Sequence, residues 1–109
     1  MAYDRSIELR IDALIIDWPN IEKKKMFGGV CYLTRGNMCF GIWQGSLIVR
    51  TDPATAGEQL RKPYVRPFDV TGKPMKGWLM VSSEGWPTEA TMTGWLNMGR
   101  EFALTLPGK

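Results

Sequence analysis

Histidine is absent from the chain, and cysteine occurs only at Cys31 and Cys39. Without imidazole there is no Ser-His or Cys-His nucleophile, no histidine acid–base step and no histidine metal site. Two thiols alone are too few ligands for a structural metal centre. The carboxylates are scattered, with no pair at a spacing that suggests two-carboxylate hydrolysis. Thr71-Gly72-Lys73 has the look of the end of a phosphate loop. However, position 67 is Pro where that loop needs Gly, and Pro74 replaces its Ser or Thr. Gly28-Gly29 is likewise no dinucleotide fingerprint. The expectation is a protein that is not an enzyme and binds no metal or cofactor.

Long hydrophobic runs are also missing. The longest, Ala13–Ile16 and Trp78–Val81, fall far short of the about 20 residues of a membrane span. Met1–Ser6 has no apolar stretch of the kind a secretory leader needs, so a cytoplasmic protein is expected. In that compartment Cys31 and Cys39 read as ordinary thiols. They flank a hairpin turn: a two-residue loop sends them to opposite faces, whereas a three-residue loop leaves them diagonal on one face.

What is present is the material of one globular domain, residues 1–109. Apolar residues make up 44% and charged residues 23%, and twelve aromatics supply bulk for a core. The net charge of +3 is unevenly placed. Residues 1–22 carry −3, and residues 23–76 carry ten Lys or Arg against Asp52, Glu58 and Asp69, a net +7. Such a basic middle serves nucleic acid, an acidic partner or self-association, or is simply a solvated surface.

Along the chain, Tyr3, Ile7, Ile11, Leu14, Ile15 and Trp18 recur at helical spacing, predicting a helix over 3–17 with Arg5, Glu8 and Asp12 facing away. Trp18-Pro19 stops it. A first strand ends in Met26-Phe27. The glycine pair Gly28-Gly29 then permits a positive φ, a bulge or a close backbone approach. Val30–Thr34, Met38–Trp43 and Ser46–Arg50 read as an antiparallel meander with Met38, Phe40 and Ile42 on one face. Asp52-Pro53 looks like an N-cap and first helical position, with a short helix to about Arg61. Residues 63–76 are the least regular stretch, and 77–82 return to strand. Thr88 caps a last helix whose stripe is Met92, Trp95, Leu96, Gly99, Phe102, Ala103 and Leu106.

Trp78 and Trp95 read as core, and Trp43 and Trp86, near turns, as partly exposed. Tyr32, Phe40 and Trp43 on a basic sheet are a candidate stacking platform for bases. A two-residue hairpin loop would put Tyr32 and Phe40 on opposite faces, which counts against it.

Several segments carry a resemblance. Lys25-Met26-Phe27-Gly28-Gly29, Tyr32-Leu33, Gly36-Asn37-Met38, Gly41, Leu47–Arg50, Val65-Arg66-Pro67-Phe68-Asp69, Gly72–Trp78 and the terminal helix with Trp95 together resemble the TfoX N-terminal domain family. The resemblance implies a bacterial α+β domain: a two-layer antiparallel sheet with N- and C-terminal helices packed on it, in a secretion-chaperone-like layout. The family's named members are competence regulators that act on transcription with the cyclic-AMP receptor protein. They carry a further C-terminal helical domain not found in these 109 residues. No catalytic residues are implied.

The resulting expectation is a non-catalytic regulatory or protein-interaction module. Its candidate surface is Lys24, Lys25, Arg50, Arg66, Lys73 and Lys76, and its structural motif Met26, Phe27, Gly28 and Gly29. Alternatives are weak direct nucleic-acid binding through the basic middle, or a small-ligand domain. A homodimer is expected, because the meander leaves a strand edge and the acidic first helix complements the basic middle of a second copy. A protein partner is expected too, and no membrane.

Overall fold

Residues 5–14 form a helix because an N-cap and a sheet-facing stripe coincide there. Asp4 accepts from the Ser6 amide at 2.9 Å, and Ile7 and Ile11 are buried. The computed structural model describes residues 3–26, 28–68 and 77–108. Its elements are α1 (Arg5–Leu14), β1 (Ile21–Met26), β2 (Gly29–Thr34), β3 (Asn37–Trp43), β4 (Ser46–Arg50), α2 (Pro53–Gln59), β5 (Val65–Pro67), β6 (Trp78–Val81) and α3 (Glu89–Leu104). All six strands form one antiparallel sheet in the order β1-β2-β3-β4-β6-β5. α3 crosses β3 and β4, and α1 lies against α3, which makes the α+β, two-layer arrangement expected from the sequence.

Several boundaries differ from the sequence expectation. α1 is shorter than 3–17: Tyr3 instead pairs with Gln44 in an isolated bridge, and the Asp4 amide donates to the Gln44 carbonyl at 3.0 Å. Glu8 is buried rather than facing away, for reasons given below. β5 went unforeseen, being three residues long and ending in Pro67, which has no N–H for a ladder. The expected caps Asp52 and Thr88 are in place, accepting from the Thr55 and Thr91 amides at 3.1 and 3.2 Å.

The β2–β3 hairpin explains two further differences. Its turn is Arg35-Gly36, both at positive φ, as a two-residue hairpin loop requires. Tyr32 pairs with Phe40, but the next residue, Leu33, pairs with Met38, so Cys39 is an extra residue bulged out of β3. The bulge turns Phe40 and Ile42 to the helical side and leaves Met38 with Gly41 on the other. Tyr32 and Phe40 therefore share a face, with ring centroids 5.1 Å apart, and both are fully buried. A base-stacking role for this pair is excluded.

The core lies between sheet and helices. Val30, Tyr32, Phe40, Ile42, Leu47, Val49, Leu79 and Val81 meet Ile7, Ile11, Met92, Trp95, Leu96 and Ala103. Gly99 lets α3 lie directly on β3, since a Cβ there would collide with the Cys39 carbonyl. Gly28 adopts φ 74° and a Cβ on Gly29 would strike the Ile42 carbonyl, so this pair supplies both the turn and the close approach it permits.

Candidate interaction face

The sheet face turned away from the core is also apolar. Register places Lys24, Cys31, Gly41, Ile48, Met80 and Arg66 in one row across it, with Trp43, Arg50 and Trp78 alongside. Strand alternation explains why Trp78 is here and only half-buried, rather than in the core: Leu79 and Val81 take the inward positions. Trp95 is buried, as expected, and its indole N–H donates to the Gly85 carbonyl at 2.8 Å. Trp86 is buried, against expectation, because its N–H finds the Val81 carbonyl at 3.0 Å.

At one end of this face three half-buried rings meet. Phe68 lies 6.2 Å from Trp43 in an edge-on arrangement and 6.4 Å from Trp78. Backbone pairing fixes them: the Phe68 amide donates to the Trp78 carbonyl at 3.2 Å, and the Thr51 amide donates to the Gly77 carbonyl at 2.7 Å. The Arg50 guanidinium stands 5.1 Å from the Trp78 ring and 5.5 Å from Phe102, while Arg66 is exposed on the neighbouring edge strand. The result is an aromatic surface framed by two cations.

The six cations singled out in the sequence do not gather. Arg50 and Arg66 stand at the aromatic end. Lys24 and Lys25 are exposed on β1, five strand spacings or about 24 Å from Arg66's strand, and alternation splits them between faces. Lys73 and Lys76 lie outside the described residues, as does Phe27; of Met26 only the backbone is described.

A second cluster was missed in the sequence. Lys23 Nζ lies 2.8 Å from both Glu8 Oε2 and Asp12 Oδ2. The Tyr3 hydroxyl donates to Glu8 at 3.0 Å, and the Tyr32 hydroxyl donates to Asp12 at 2.8 Å. The hydrogen bond from Lys23 is the main reason that Glu8 titrates below its ordinary value, despite burial. Asp12, then Glu8, raises the Lys23 pKa in turn. Burial, and then the bond to Asp12, raises the Tyr32 phenol. The charged state of Lys23 is thus the favoured one, the wrong form for a nucleophile or base, and the cluster fastens α1 to β1 and β2. The signal available was the Glu8/Asp12 spacing of one helical turn beside a lysine run.

The thiols lie on opposite faces of the sheet, Cys39 inward and Cys31 outward. Both are buried and unbridged. Burial pushes Cys39 up to about 11 and Cys31 above its ordinary value. A groove of 640 Å³ between α2 and α3 includes Thr51, Asp52, Thr55, Asn97, Glu101 and Phe102. The Asp52 carboxylate there is already engaged as the cap of α2.

Fold and face together define a two-layer α+β domain with a ring-lined outer sheet surface. Residues 13–103 match the TfoX N-terminal domain, and the chain belongs to that family. Neither a curated protein nor a solved structure gives a significant match.

Proposed function

We propose that the chain is a non-catalytic regulatory domain, like the competence-regulator domains of its family, which docks a partner protein on the outer sheet face. The observation that carries this reading is the Trp43–Phe68–Trp78 surface with Arg50 and Arg66 at its border. Large rings next to arginine are the residue types that dominate protein–protein contacts. The cations select a partner surface with an apolar centre and an Asp/Glu rim. Affinity capture with the wild type, Trp78→Ala and Arg66→Glu tests it. The expected result is a protein retained by the wild type, lost with both variants, and cross-linked through an acidic segment. Capture unchanged by either substitution would refute it.

Nucleic-acid binding is the rival reading, and the arrangement of charge speaks against it. Four tryptophans already hold a cation: Arg100 is 4.8 Å from Trp18, Arg50 5.1 Å from Trp78, Arg10 5.3 Å from Trp86 and Lys62 5.3 Å from Trp95. With Lys24 and Arg66 at opposite edges, no continuous phosphate track forms among the described residues. DNA binding in a gel shift should be weak, without sequence preference, and gone at about 150 mM salt. Tight, sequence-specific binding there would reverse the ranking.

A further inference from the structure

The groove between α2 and α3 is built from two rows of α3 and the start of α2. Gly94, Met98 and Phe102 follow one another at four-residue spacing, and so do Asn97 and Glu101, all within the helix. At about 100° per residue, Met98 and Phe102 lie between the Asn97–Glu101 row and the buried Trp95 and Gly99. Both are half-buried, and Met98 packs on the core, so they form an apolar floor. Asn97 and the exposed Glu101 make the rim on the α3 side. Thr51, Asp52 and Thr55, where β4 leads into α2, make the opposite rim. A Cβ on Gly94 would touch nothing, so the groove stays open at that end. From Gly94 to Phe102 the floor runs about 12 Å.

Both rims carry a carboxylate, in a chain whose net charge is +3. Hydrogen bonds from Thr55, first its side chain and then its amide, hold the Asp52 carboxyl below its ordinary value, so it is ionised at neutral pH. Among the described residues no lysine or arginine forms a salt bridge with Asp52 or Glu101. Arg50, the cation against the Phe102 ring, is shared between that ring at 5.5 Å and Trp78 at 5.1 Å. Gln59, one turn beyond Thr55 on the same side of α2, has a buried Oε1 with no donor among the described residues. An occupant therefore needs an apolar stem for Met98 and Phe102 and a cationic donor for each rim. A bare metal ion makes no use of such a floor. A chain of amines set apart by methylenes uses floor and rims together.

We infer that this groove binds a linear aliphatic polyamine, with its methylenes on Met98 and Phe102 and its ammonium groups at Asp52 and Glu101. The 640 Å³ of space is ample for a triamine such as spermidine, and about 12 Å of floor suits its extended chain. Charge pairs in an open groove are screened and individually weak, so Kd at low salt is on the order of 100 µM and rises with ionic strength. None of Trp43, Phe68 and Trp78 lines the groove, so amine binding and docking on the sheet face fail or stand separately.

Spermidine titrated into the isotope-labelled chain at about 20 mM salt, followed by amide NMR shifts, measures the affinity and locates the site. The largest shifts should fall on the Gly94, Asn97 and Thr55 amides. Asp52→Asn removes the charge yet keeps a residue that ranks with Asp as an N-cap, and Glu101→Gln alters an exposed helical position, so both variants keep the fold. Each should raise Kd at least about threefold, and the double variant at least about tenfold. Glu22→Gln, an exposed carboxylate on β1 away from the groove, should leave Kd unchanged. N-acetyl-lysine amide, with a single ammonium, should bind at least about tenfold more weakly than spermidine. No binding by about 5 mM spermidine, the same Kd for wild type and double variant, or an equal loss with Glu22→Gln would each overturn the inference. A trilysine peptide that binds more tightly than spermidine would overturn it as well, and would give the groove to a protein partner.

Discussion

Replacing Lys23 with Met removes the cation that Glu8 and Asp12 share while keeping most of the side-chain volume. The cost follows from exposure. The Glu8 side chain is only 8% exposed and would keep the Tyr3 hydroxyl at 3.0 Å and Arg5 Nε at 3.6 Å. The Lys23 and Asp12 side chains are 37% and 39% exposed, so water screens the Asp12 half of the interaction. Breaking a fully buried pair costs about 3–5 kcal/mol, and an exposed one about 0–1. One buried carboxylate left without its cation places Lys23→Met near about 2 kcal/mol. In urea melts at neutral pH, with a slope near about 1.3 kcal/mol/M, the midpoint should fall by about 1.5 M. Adding Glu8→Gln removes the orphaned charge, so the double variant should be more stable than the sum of the two losses predicts. Glu8 titrates below its ordinary 4.5, so its contribution is complete above that pH and disappears as pH falls through the lowered value. Lys23 titrates above 10.5, so its contribution is complete below that pH and is lost on raising pH through the raised value. The gap between wild type and Lys23→Met should therefore hold steady from about pH 5 to 10 and narrow in acid. A loss below about 0.5 kcal/mol, or strict additivity with Glu8→Gln, would refute the reasoning.

Two glycines of α3 should respond in opposite directions. Gly94→Ala, with open space at its Cβ, should gain about 0.5–1 kcal/mol in thermal or urea melts, whereas Gly99→Ala should lose at least about 2 kcal/mol by pushing α3 off the Cys39 carbonyl. Leu96→Ala, at a fully buried position, should cost about 3 kcal/mol; Phe102→Ala, half-buried beside Arg50, should cost less than the about 3–5 kcal/mol of a core phenylalanine. Cys31 and Cys39 should react with a thiol reagent at pH 8 far more slowly in the native protein than in urea, because both are buried with raised pKa values.

The parts legible in the sequence were those written in local signals. Asp52 before Pro53, Thr88 before α3, the presence of a hairpin turn between β2 and β3 and the 3.6-residue stripe of α3 each depend on a few neighbouring residues. The bulge at Cys39 has no such signal, since one extra residue in β3 is decided by how β3 meets β2 and α3. It reversed the facing of Met38 relative to Phe40, and with it the fate of the proposed stacking pair. Trp78 is the same lesson for the candidate face: a strand's period says which residues alternate, but not which set turns toward the helices. Arg50 and Arg66 were found as cations, and their association with Trp43 and Phe68 came only from β6 inserting between β4 and β5. Glu8 was misplaced because a charged residue at a helical flank is normally solvated, and here Lys23 and Tyr3 cover it.

The two margins of the sheet have a consequence for how the chain behaves when many copies are made at once. β1 offers the exposed Lys24 and Lys25 at its margin, and β5 offers three residues ending in a proline without an N–H. An incoming strand would meet like charge on one margin and a broken ladder on the other. Newly made domains crowded together are thereby steered away from the strand-on-strand growth that seeds aggregates. Replacing Lys24 and Lys25 with Thr or Val, with Lys23 kept in its cluster, would take away that safeguard while leaving the core untouched, and the cost would appear as inclusion bodies rather than as a lower melting temperature.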